Sequence, residues 1–207
     1  MKNIFVIITL IVTSVLVIGS CGDIKKAEDT KTEEIGETKS QEVNYLDAGQ
    51  QLAMKTKSSL ASHLVAAIGE KGPEGAVEFC NIKAIPNTDS MSLELNAHIK
   101  GVSDKPRNPA NQANEAELAY IKAWKEAKAK GLKFAPKVIE INDKMVGYYP
   151  IITNEMCMQC HGKPNSDIKA STLENINNLY PNDMATGYKL DEIRGIFVVE
   201  MSRQLNK

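Results

Sequence analysis

The sequence predicts an α+β domain, an antiparallel sheet with helices packed on it. Three observations carry this. Residues 44–71 place Leu60, Leu64 and Ile68 at i, i+4 and i+8, one stripe of an amphipathic helix. The β-prone runs 138–141 and 145–152 flank Asn142-Asp143-Lys144, which reads as a hairpin and therefore as antiparallel pairing. The strands are separated by helices and loops of uneven length, not by the regular crossovers of a parallel sheet. With 207 residues, 43% of them hydrophobic and 25% charged, the chain is long enough for one domain with a core, and short for two.

The first helix ends at Gly72-Pro73, and Pro73 is suited to open a second, shorter helix that Pro86 closes. Within it Ala76, Val77, Cys80 and Ala84 share a face, so Cys80 points inward among small neighbours. His63, on the first helix, falls at the edge of its stripe. Residues 91–100 alternate: Met91, Leu93, Leu95, Ala97 and Ile99 on one side, with His98 among the polar residues of the other, as in a half-buried strand. A Pro-punctuated loop over 105–111 leads to a helix whose Asn114 and Glu117 have capping-box spacing and whose Leu118 and Ile121 face the core. Gly131 ends it, and the hairpin follows. Ser171 and Glu174 open a short helix through Leu179, and the β-branched and aromatic run 195–201 is the last strand.

The N-terminus stands apart. Lys2 precedes a charge-free apolar run over 4–18 that ends in Ile18-Gly19-Ser20-Cys21. This resembles a bacterial lipoprotein signal, which implies a signal peptide over 1–20 and lipidation of Cys21; an uncleaved transmembrane anchor is the alternative. Residues 21–43 are Lys-, Glu-, Thr- and Ser-rich and read as a disordered tether of about 25 Å typical reach. The domain proper is expected over 44–207. Both readings of the N-terminus put it outside the cytoplasm, with the lipid anchor holding it to the membrane. A formal charge of -1 and a pI near 6.3 leave no basic field for nucleic acid.

The chemistry is concentrated in Cys157-Met158-Gln159-Cys160-His161. Two thiols at this spacing can add to the two vinyl groups of one porphyrin, and the adjacent His can ligate the iron: a c-type haem attachment site. A structural zinc ion needs four ligands, and no second Cys-x-x-Cys or His pair is present. A thioredoxin-like pair has no use for the His, whereas a plain disulfide is compatible with the chemistry. Of the four cysteines, Cys21, Cys157 and Cys160 are thereby assigned and Cys80 is left over. With His161 as proximal ligand, the sixth position falls to Met184, Met201 or Cys80.

A wider set of residues resembles a known family. The run Glu78-Phe79-Cys80-Asn81-Ile82, the loop Lys105-Pro106-Arg107-Asn108-Pro109-Ala110-Asn111, the haem motif followed by Gly162, Tyr180-Pro181-Asn182-Asp183, Ala185-Thr186-Gly187-Tyr188 and the segment 190–195 are together similar to a family of exported single-haem domains, long catalogued as a domain of unknown function. The resemblance implies a PAS-like fold over 44–203, haem attached through Cys157 and Cys160, iron ligated by His161 and Cys80, and Arg107 near the haem, on a propionate or as a solvated loop charge. The expected function is single-electron transfer by a membrane-anchored c-type haem protein, with an unidentified redox partner. The alternative is a redox or gas sensor signalling through a separate protein, since no output segment follows in the sequence. A haem enzyme would need an acid–base residue at an open iron face, and neither His63 nor His98 is placed for that.

Overall fold

The computed structural model describes residues 43–203. The signal peptide, Cys21 and nearly all of the tether expected over 21–43 lie outside the described residues. The helix α1 spans Tyr45–Glu94, capped by the Asn44 side chain, which accepts from the backbone N–H of Asp47. It is broken at Gly72, whose φ of 71° and ψ of 175° belong to a region open essentially to Gly alone. The two arms fold back on one another: Ser59 Oγ lies 3.1 Å from Asn87 Oδ1, and the His63 and Phe79 rings approach to 6.3 Å.

Four strands follow: β1 (His98–Val102), β2 (Lys137–Ile141), β3 (Lys144–Ile152) and β4 (Ile193–Ser202). They form one antiparallel sheet in the order β1-β4-β3-β2. The β2–β3 hairpin turns at Asn142 and Asp143, both with positive φ (48° and 60°), as a two-residue turn matching the strand twist requires. Helix α2 (Glu115–Ala129) has the full capping box between Asn114 and Glu117. The buried Glu117 carboxylate also pairs with Lys100 Nζ at 2.7 Å.

Strand β4 explains the layering. Ile196 and Val198 join Ile121 and Trp124 of α2 in one core, while Phe197, Val199 and Met201 join Ala53 of α1 and Tyr149 in the core on the opposite face. A strand covered on both faces is apolar throughout instead of alternating, which is why this run reads so strongly in the sequence. A third cluster, of Val77, Ile168, Ile176 and Tyr180, seats helix α4 (Ala170–Leu179) on the second arm of α1.

Two boundaries differ from expectation. Pro86 does not close the second helix; it lies exposed inside α1, which runs on to Glu94. Residues 91–94 are correspondingly helical, and the strand begins only at His98. The physical reason is the stripe Val77, Cys80, Ala84, Thr88 and Met91, which keeps helical spacing straight through the proline. Leu93, assigned to the buried side by the alternation, is 84% exposed. Among the described residues no helix is long and apolar enough to cross a membrane.

Candidate functional site

The Cys-x-x-Cys-His segment forms a short helix of its own, α3 (Glu155–His161), directly after β3. Asn154 caps it, its side chain accepting from the Cys157 N–H at 3.2 Å. Thr153 ties the start of this turn to the approach to β4: its N–H donates to the Glu192 carbonyl, and its hydroxyl donates to the Lys189 carbonyl at 2.7 Å. One face of α3 then carries Met156, Cys157, Cys160 and His161.

These four side chains line a cavity of about 350 Å³. Its other walls are the Leu60–Leu64–Ile68 stripe of the first arm, Val77, Cys80 and Ala84 of the second, and Phe197 of the sheet. The stripes of both arms thus face a shared space. All three described cysteines are free and half-buried. Burial pushes the Cys80 thiol up to about 11, with the neighbouring Cys160 adding to the effect and Arg107 opposing it. The Cys160 thiol is raised too, again chiefly by burial.

His161 is fixed from the segment after α4. Its Nδ1 lies 2.7 Å from the Ala185 carbonyl, its own carbonyl accepts from the Tyr188 N–H at 2.9 Å, and the Tyr188 ring meets the imidazole edge-on. A carbonyl can only accept, so the proton is on Nδ1 and Nε2 is left with its lone pair. Burial, and then the positive charges of Arg107 and Arg194, hold the ring's pKa well below 6.5, in the neutral form that can act as a ligand.

Arg107 is not a solvated charge. Its Nε pairs with Asp183 at 3.0 Å, an Nη donates to the Cys160 carbonyl at 2.6 Å, and both partners of the ion pair are largely buried. It lines the cavity with Nε and one Nη committed to protein acceptors. Met201 is buried in the α1-facing core and Met184 is 53% exposed; neither is among the residues lining the cavity. His63 is exposed, and His98 lies at the exposed start of β1.

Met156 and Arg194 are among the lining residues to which the sequence assigned no role. Met156 carried no signal beyond its place beside the motif. Arg194 does carry a signal: it is the one cation of β4, placed ahead of the apolar run Ile196–Val199. Among the described residues no cluster of three or more His, Cys, Asp or Glu side chains could hold a metal ion by itself. The donor set, one neutral imidazole with two thiols beside it and a third thiol on the opposing wall of an apolar cleft, fits an iron already held by four ring nitrogens.

A family model described as Tll0287-like matches residues 24–202. A solved structure, that of the cyanobacterial heme-protein Tll0287, is 19% identical, with 78% of this chain and 94% of that chain covered and a TM-score of 0.53. At this identity the likeness establishes the shared fold. No curated protein matches. With a model spanning residues 24–202, most of its length, the chain belongs to the Tll0287-like family.

Proposed function

We propose that this chain carries one c-type haem and acts in single-electron transfer outside the cytoplasm, anchored to the membrane through a lipidated Cys21. The observation that carries the reading is the convergence of Cys157, Cys160, His161 and Cys80 on one apolar cavity. The domain is read as PAS-like, with the haem between the helical arms and the sheet. Family membership and the likeness to a solved heme-protein support haem as the cofactor.

Cys157 and Cys160 would hold the haem, each thiol adding its S–H across one vinyl group so that a C–S bond forms and no atom is lost. His161 offers Nε2 because Nδ1–H is committed to Ala185. Cys80 would complete the ligation from the second arm; burial pushes its thiol up to about 11, so the thiol is protonated near neutral pH and would give up that proton to ligate iron. When bound, the haem supplies a one-electron ferric/ferrous couple, and thiolate ligation favours the ferric state relative to a Met ligand. The apolar walls exclude water from the iron. The electron is exchanged with a separate redox partner.

One observation favours a second reading, as a redox or gas sensor. The two expected ligands lie on separate elements, His161 on α3 and Cys80 on an arm joined at Gly72. Release of Cys80 would free that arm to shift, and a separate signalling partner would read the change.

The test is absorption and electron paramagnetic resonance spectroscopy of the haem-loaded full chain and its Cys80→Ala variant. A low-spin thiolate signature in the wild type that is lost in the variant is the expected result. An unchanged spectrum would remove Cys80 as ligand. Rapid binding of carbon monoxide to the reduced protein would favour sensing, whereas inertness with reversible cycling favours electron transfer.

A further inference from the structure

Arg107 and Arg194 both line this cavity, and among the described residues Arg107 has a carboxylate partner whereas Arg194 has none. It lies second in β4, lines the cavity, and is largely withdrawn from water. One Nη donates to Ser103 Oγ at 2.7 Å, and the guanidinium carbon is 5.3 Å from the centre of the Tyr188 ring. Its buried Nε has no hydrogen-bond partner, and among the described residues no carboxylate stands within ion-pair distance of it. Ser103 cannot serve as the missing anion; its hydroxyl is neutral and already donates to the Arg194 carbonyl while accepting from the Lys105 N–H.

The surrounding charges sharpen the point. Arg107 and Asp183 neutralise each other in their ion pair, so Arg107, Asp183 and Arg194 together leave one unbalanced positive charge at the cavity wall. A desolvated guanidinium with an unpaired N–H is costly unless an anion completes it, and a carboxylate is the group whose two oxygens match that edge. The cofactor assigned to this cavity carries carboxylates at one rim.

We propose that Arg194, and not Arg107, receives a haem propionate through its unpaired Nε edge. This inference rests on the haem reading above. Arg107 is already neutralised by Asp183, has Nε and one Nη committed to that carboxylate and to the carbonyl of Cys160, and acts by holding the attachment helix in place.

The test uses the full chain purified without attached haem, and two iron porphyrins that cannot form thioethers: ferric mesoporphyrin with free propionates and its dimethyl ester. Equilibrium titration is followed by absorption. Wild type is expected to bind the diester about tenfold more weakly than the diacid, the weight of one charge-assisted contact. In Arg194→Gln that ratio falls close to one, while Arg107→Gln retains it. Equal binding of the two porphyrins by wild type, or an unchanged ratio in Arg194→Gln, overturns the assignment. Wild type alone can therefore refute it, even where a variant fails to fold. In the haem-loaded chain, Arg194→Lys is expected to shift the propionate bending mode in resonance Raman spectra, and an unmoved mode counts against the contact. Failure of wild type to bind either porphyrin overturns both this inference and the haem reading, whereas tight but equal binding overturns this inference alone.

Discussion

The Nδ1 of His161 and the carbonyl oxygen of Ala185 lie 2.7 Å apart, joining the last residue of α3 to a segment more than twenty positions downstream. The contact fixes the tautomer before any metal arrives. In the haem-free chain, two-bond ¹⁵N–¹H correlation spectra should show a neutral imidazole protonated at Nδ1. Gly187 holds a φ of 81° in the same segment, so Gly187→Ala is expected to cost about 1 kcal/mol in urea unfolding and to perturb that Nδ1–H signal. A ring protonated at Nε2 in the wild type would contradict the geometry.

Arg107 and Asp183 are 12% and 7% exposed, too buried for either charge to be left alone cheaply. Arg107→Gln and Asp183→Asn should each destabilise the haem-free domain by about 3 kcal/mol, and the double variant by clearly less than the sum. Denaturant titration of the four-member cycle measures the coupling. Additive losses would mean that the pair contributes nothing as a pair.

Alkaline pH should weaken the domain through its tyrosines. Burial pushes Tyr149 and Tyr180 up to about 12, from an ordinary value of 10. The unfolded chain loses these protons near pH 10 and the folded chain only near 12, so stability present below pH 10 is lost progressively between those values. Tyr149→Phe should flatten the decline in a thermal-melt series from pH 9 to 12, because the phenol that donates to the Leu46 carbonyl at 3.1 Å is then absent. An identical slope in the variant would rule out Tyr149 as a contributor.

Gly72 is the break between the arms of α1, in a conformation that a Cβ does not tolerate. Gly72→Ala is expected to cost roughly 1–3 kcal/mol. Because Cys80 lies two turns beyond the break, the same change should also alter the ligand-field signature of the haem-loaded chain. Unfolding curves and electron paramagnetic resonance spectra check the two halves of this prediction separately.

The cavity's make-up was legible where Cys157, Cys160 and His161 form a local motif, and where each arm of α1 buries a stripe with helical spacing. Leu60, Leu64, Ile68 and Cys80 were placed on the correct faces for that reason, and all line the cavity. The region 86–97 was misread because two periodicities overlap there. Met91, Leu93, Leu95 and Ala97 alternate, yet Met91 also continues the helical stripe from Val77, and tertiary packing selects the helix. Supporting bonds favour that outcome: the hydroxyls of Thr88 and Ser92 donate back to the carbonyls of Ala84 and Thr88. The roles of Arg107 and Arg194 were not legible, since both depend on partners brought close only by the fold: Asp183 is 76 positions from Arg107, and Ser103 is 91 from Arg194.

The central position of β4 governs the order in which this domain can form. The last strand in sequence is inserted between β1 and β3, and until it arrives the hairpin and β1 share no edge. Both cores draw on it, so neither α1 nor α2 has a finished surface to dock on before Ile193–Ser202 has emerged from the ribosome. High contact order of this kind slows folding and leaves the nascent chain dependent on protection. Truncation that removes Ile193–Ser202 should thus be far more damaging than its length suggests: loss of the strand splits the sheet in two.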